Sequence, residues 1–221
     1  MINKLKNLSF QIIESCIRNI SGRIGFGVRQ YYYSRRFAKC GNNLVISEGV
    51  IIEGPENMYL EDSVWIDKYC ILMAGKVDDT GLQIKHKNNK NYKNLRGELR
   101  IGSCVHIAPQ CILQAHGGIS IGNNCGFSSG VKIYSFTNLP NKPNGEIVHF
   151  TPLGNAYYLD SPIFIAENVG IALNGIVLPG VSIYKNSFIA PNSVVVSSIR
   201  ENSFAKGNPA KKVKARFENY E

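Results

Sequence analysis

Four histidines, His86, His106, His116 and His149, are the side chains in this 221-residue chain that can exchange a proton near neutral pH, because a free imidazole titrates at about 6.5. His116 is followed by Gly117 and Gly118, and two glycines leave room for a ligand beside the ring. His149 falls in a stretch punctuated by Pro140, Pro143, Gly145, Pro152 and Gly154, which reads as a surface loop. A base has to reach the group it deprotonates, so His116 ranks first and His149 second. His86 lies in Lys85-His86-Lys87-Asn88-Asn89-Lys90-Asn91 and reads as part of a solvated loop; His106 reads as a surface or core-edge residue. His106 and His116 stand 10 residues apart with no third ligand in view, so no metal site is expected.

The elements that must hold these groups are set by a period of six. Ile165, Ile171, Val177, Ile183, Ile189 and Val195 form an unbroken aliphatic ladder whose spacing suits neither a helix nor an ordinary hairpin. The same spacing recurs at Leu60, Ile66, Leu72, at Ile101, Ile107, Leu113, and at Ile121, Phe127, Ile133. A chain that bends after each short strand stacks such residues in columns, which predicts an all-β parallel β-helix with three hexads per triangular coil. At the fourth position after each rung stand Val169, Gly175, Val181, Ser187, Ser193 and Ile199, mostly small side chains suited to a tight corner. The count fails over 73–98 and 134–162, so both are expected to leave the coil as loops, the second bordering the functional site. Two extra residues near His116 are expected to bulge from a corner.

Residues 1–40 read as a helical cap, since Ile2, Leu5, Leu8, Ile12, Cys16 and Ile20 share one helical stripe that ends near Gly22. The alternative role of this segment is peripheral contact with an anionic membrane through its basic residues. The coil then occupies 41–205, and 206–221 reads as a basic tail. A formal charge of +9, gathered in Lys4 to Arg36, Lys76 to Arg100 and Lys206 to Arg216, suits phosphate-bearing partners. No helix-turn-helix, zinc finger or aromatic-basic motif points to nucleic acid. The 6 cysteines show no paired spacing and read as reduced thiols in the core. With no apolar run of signal or membrane-spanning length in the first thirty or so residues, the chain is expected in the cytoplasm.

The stretch from Ile165 to Arg216, with Leu178-Pro179-Gly180-Val181 inside the hexads and Gly207-Asn208-Pro209-Ala210-Lys211 at their end, resembles the hexapeptide-repeat acyltransferases, and more narrowly their maltose and galactoside O-acetyltransferase branch, which includes enzymes that acetylate surface polysaccharides. The resemblance spans about residues 41–217. It implies a left-handed coil, a homotrimer, and acetyl-CoA lying between neighbouring subunits. It carries cofactor contacts to Ala172, Leu173, Ala190, Pro191, Val196, Ser197, Lys211 and Lys214. It also places a catalytic histidine at the end of Ile133-Tyr134-Ser135-Phe136-Thr137-Asn138, where this chain has Asn138. Gly170 stands where the family often has tryptophan, and Pro191 where alanine or glycine is usual.

An amide can orient a hydroxyl or an oxyanion, but it cannot take a proton at neutral pH, so Asn138 leaves the usual base to be replaced by His116 or His149. The resemblance implies acetyl transfer to a sugar hydroxyl in surface polysaccharide or glycan synthesis. Two alternatives stand beside it: transfer to the amine of a nucleotide-linked amino sugar, which tolerates loss of the usual histidine better, and an inactive trimeric scaffold.

Overall fold

The computed structural model of the chain describes residues 2–148 and 156–218, with side chains from residue 9 onward. His149 lies outside the described residues. Each coil consists of three short strands, as in Ile119–Ile121, Gly126–Phe127 and Lys132–Tyr134, joined by corners. Stacking the coils builds three parallel sheets of 6, 8 and 6 strands, here called the first, second and third faces in the order the chain meets them. Register is strict: Leu60 pairs with Ile101 and Ile165 with Ile183 on the first face, Ile66 with Ile107 on the second, and Leu72 with Leu113 on the third. Every ladder residue of the sequence pattern is at most 3% exposed, so the columns fill the triangular interior.

The corners turn one residue earlier than the hexad count suggests. Asn124, Asn168, Asn186 and Asn202 at one corner, and Asn174 and Asn192 at the next, hold φ between 48° and 59°. Asparagine tolerates this left-handed region because its short amide bonds locally. The residues that follow them point inward: Val169, Ser187 and Ser193 are buried, as is Val181 after Gly180, and they pack interior columns at the three corners. Cys70, Cys111 and Cys125 belong to these corner columns, and burial pushes the Cys125 thiol up to about 11. Cys16 and Cys104 are exposed and Cys40 is half-buried, because they stand on the helix, on a corner and at the coil's first strand, outside the interior columns.

Two helices precede the coil where one was expected: α1 (Ile2–Arg18) and α2 (Gly22–Ser34). Ile17, Tyr33 and Phe37 join the coil's core. The buried Arg29 guanidinium donates from Nε to Ile46 O at 2.9 Å, and from Nη1 to Ile17 O at 3.0 Å and Ile20 O at 2.7 Å, so one cation satisfies the end of α1 and the first coil together. At the other end, the segment expected as a basic tail folds back. Ala210–Ala215 pairs antiparallel with Ser203–Gly207, extending the second face beyond the last full coil. Such a returning strand covers an edge that parallel coils leave open.

Both interruptions leave from the same corner, where the third face passes to the first. They are more ordered than loops. Gln83–His86 from the first, and Phe136–Leu139 with Tyr157–Asp160 from the second, form a separate three-stranded sheet with Tyr157–Asp160 in the middle. This side arm stands beside the corner that carries His116. Among the described residues, no helix is long and apolar enough to cross a membrane.

Candidate active site

His116 stands at the arm-bearing corner, just after the strand Ile112–Gln114. Its Nδ1 lies 2.8 Å from the backbone oxygen of Gly75, one coil below. A carbonyl oxygen only accepts, so Nδ1 carries a proton, and in the neutral ring Nε2 holds a free lone pair. The backbone has chosen the tautomer a general base needs. Gly117 and Gly118 are required by contact: a Cβ on Gly117 would overlap Asp160 and the Ser135 backbone, and one on Gly118, where φ is +103°, would overlap the Tyr92 ring. Tyr92 Oη donates to Leu95 O at 2.7 Å, and burial pushes its phenol well above the usual range, so it stays a neutral prop under the corner.

His86 and Asp160 occupy paired positions on the arm. Asp160 is 6% exposed. Its Oδ2 accepts from His86 Nδ1 at 2.6 Å and forms an ion pair with Arg96 Nη1 at 3.0 Å, while that Nη1 donates to the Asp160 backbone oxygen at 3.4 Å. The guanidinium is fixed in turn, since Nη2 donates to Lys87 O at 2.7 Å and Asn88 Oδ1 at 2.8 Å. Asp160 Oδ1 is buried with no hydrogen-bond partner among the described residues. The aromatic wall is Phe136, edge-on to the His116 ring at 6.2 Å and stacked on Tyr158 at 5.0 Å.

These groups enclose a pocket of about 170 Å³ lined by His86, Arg96, Asp160, His116 and Phe136, with Lys76 and Asp79 also on its wall. That volume is below the range of about 300–1,000 Å³ usual for whole small-molecule sites. It fits the reacting end of an acceptor rather than an entire sugar nucleotide. His116 is thus in the pocket as the sequence ranks it. His86, read as a solvated bystander, is there too, because its partner Asp160 lies 74 residues away and no local pattern announces the pair. Asn138 is exposed on the arm opposite Tyr158, two residues beyond the pocket wall at Phe136. His106 is exposed on the second face, its Nε2 2.8 Å from Asp67 Oδ2, and it does not line this pocket.

Of the eight residues marked for the cofactor, six divide between two edges and two lie on the returning strand. Ala172 and Leu173, and one coil on Ala190 and Pro191, stand at the corner between the second and third faces. Val196 and Ser197 follow the last third-face strand and so lie on the edge that carries His116, three coils further on. Ala172 N–H donates to Ile189 O, and Ala190 N–H to Ala205 O, so these amides serve the coil; Leu173, Pro191, Val196 and Ser197 are exposed. Lys211 and Lys214 stand exposed on the returning strand, with Lys206 paired to Lys211 across the hairpin. This donor set fits phosphate groups.

No family profile matches the sequence. The chain is 26% identical over 180 residues to the dTDP-4-amino-4,6-dideoxy-D-glucose acyltransferase of Escherichia coli, covering 81% of this chain and 83% of that one. Its structure is similar to that of AntD, an N-acyltransferase from Bacillus cereus solved with dTDP and 3-hydroxybutyryl-CoA (TM-score 0.65, 22% identity, 85% of this chain and 87% of that one). It is also similar to a maltose O-acetyltransferase from Clostridium difficile (TM-score 0.52, 18% identity, 93% and 83% covered). The stacked hexads and these likenesses give the chain the hexapeptide-repeat β-helix fold and make it similar to acyltransferases.

Proposed function

We propose that the protein transfers an acyl group from acyl-CoA to the amine of a nucleotide-linked amino sugar, on a route of glycan synthesis. The observation that carries the reading is His116: an imidazole whose Nδ1 is held by a backbone carbonyl and whose Nε2 is free, on the wall of a pocket sized for the end of an acceptor. A thioester accepts an oxygen or a nitrogen nucleophile, and His116 serves either by removing its proton. Similarity over four-fifths of the chain to an acyltransferase acting on a dTDP-linked amino sugar favours nitrogen.

The acyl donor enters along the coil edges. Small and exposed corner residues suit a pantetheine arm, and Lys206, Lys211 and Lys214 suit its phosphates. A single chain sets the marked residues on both sides of the third face, so a neighbouring copy has to bring its Ala172 and Ala190 edge against this chain's His116 edge. We therefore propose a homotrimer with shared sites. The unpaired thiols and the acyl-CoA donor suit the cytoplasm.

The test follows release of free CoA thiol with acetyl-CoA and a panel of dTDP- and UDP-linked sugars carrying an amine or a hydroxyl at the same carbon. Thiol release with the amino sugars is expected, and His116→Gln is expected to lower kcat/KM by a factor of about 10²–10⁴, the usual contribution of a general base, with acetyl-CoA affinity unchanged. Full activity in that variant would overturn the role of His116.

A further inference from the structure

We propose that His86 is a second proton acceptor in the same pocket, held by Asp160, and that the two imidazoles together are matched to an acceptor that arrives as an ammonium ion. The inference rests on the acyl-transfer reading and names the acceptor's protonation state. A carboxylate only accepts, so at 2.6 Å from Asp160 Oδ2 the His86 Nδ1 carries a proton and Nε2 is the free nitrogen, as in His116. Two rings on one pocket wall therefore have their lone pairs assigned to the same nitrogen by unrelated partners, one a backbone carbonyl and the other a buried carboxylate.

The proton count separates the two acceptor classes. A hydroxyl attacking a thioester gives up one proton, which ends on the departing sulfur, and one base suffices to move it. An ammonium has to lose one proton before its nitrogen becomes a nucleophile and a second after the carbon–nitrogen bond forms. His86 takes the first, freeing the amine. The amine then attacks the thioester carbonyl and the carbon–sulfur bond breaks. His116 carries the second proton from nitrogen to sulfur, so the products are amide, free thiol and one proton for solvent. The two rings are placed for this division: the His86 side chain is 48% exposed and can hand its proton to water, whereas His116 sits deeper at the coil corner. The charged and titratable groups lining the pocket with His86 are Asp160, Arg96, Lys76, Asp79 and His116. Asp160 fixes the His86 tautomer through Nδ1, and Arg96, in an ion pair at 3.0 Å, holds the carboxylate in place as a positioning residue.

The experiment measures kcat/KM against pH for the intact protein and for His86→Gln and His116→Gln, with acetyl-CoA and a dTDP-linked 4-amino sugar. With His86→Gln, activity is expected to fall by about 10² or more below the acceptor's own amine pKa and to recover to near the parent value above it, where the amine arrives already neutral. With His116→Gln the deficit is expected to persist at every pH. Recovery at high pH also shows that His86→Gln folds. A deficit independent of pH, or none, would overturn the role of His86. If the parent protein releases thiol only with hydroxyl sugars, this inference fails while acyl transfer stands; if it releases none with any acceptor, both fail.

Discussion

At the level of single residues, the site depends on Gly117 as much as on the rings it separates. Its Cα packs against Asp160 Oδ1 and the Ser135 backbone, and its N–H donates to Ser135 Oγ at 2.9 Å. Gly117→Ala forces a methyl group between the coil and the arm. Overpacking of this kind destabilises by roughly 1–3 kcal/mol, and the displaced group is the carboxylate that holds His86. The expected outcome is a lower melting temperature together with a loss of kcat/KM larger than that of a distant second-face control such as Gly126→Ala, where a Cβ meets nothing. Equal activity in the two variants would show that the Asp160 contact has no bearing on turnover. The same residues show how much of the site the sequence discloses. His116 stands out in the sequence because two glycines follow it, but the room expected there for a ligand is filled by Asp160, Ser135 and Tyr92. Asp160 and Arg96 are not legible, because a carboxylate and a guanidinium become a clamp only when two separate excursions meet.

At the level of elements, the coil and the arm obey different rules. The coil follows from the hexads, since an aliphatic residue every six positions and an asparagine able to adopt positive φ at the corners leave the chain one way to stack. The arm carries no such pattern, and its middle strand pairs with Gln83–His86 across 74 residues of sequence, so the hexad count reports where the arm departs and is silent on its form. Asn89 and Asn91 fasten it to the coil. Asn89, 9% exposed, donates from Nδ2 to Pro162 O at 3.1 Å and Val181 O at 3.2 Å, and its Oδ1 accepts from Ser182 Oγ at 3.0 Å and Asn91 N at 3.1 Å. Asn89→Ala leaves the Pro162 carbonyl unsatisfied at about 1–3 kcal/mol, while Val181 O keeps its bond from Phe164 N–H, so the loss falls on the excursion rather than on the stacked coils. Hydrogen exchange should therefore speed up at Gln83–His86 while the core strands keep their protection, and turnover should fall with the arm's order. Uniform loss of protection through the coil would show that arm and coil unfold as one unit.

At the level of the whole molecule, the third face is the surface the monomer leaves unexplained. Its inward residues fill the core, and its outward ones form a second aliphatic column in strict register: Ile51, Ile71, Ile112, then Lys132, then Ile176 and Val194. Lys132 Nζ donates to Gly130 O at 3.0 Å, which draws its charge toward the corner. Both edges that carry the marked cofactor residues border this face, so an association burying the column also brings one copy's Ala172 edge to another copy's His116 edge. Closed threefold symmetry satisfies every copy alike and leaves no free apolar column. Sedimentation should give three times the chain mass. The double variant Ile112→Glu, Ile176→Glu places like charges near the threefold contact and should yield monomers whose helices and coils remain folded, with acetyl-CoA affinity and turnover lost together. The two losses are coupled in the proposed trimer, where each donor site is assembled from two chains, whereas the His116 tautomer and the His86 clamp are made within one. A monomeric double variant that still binds acetyl-CoA with undiminished affinity would show that the donor site is complete in a single coil.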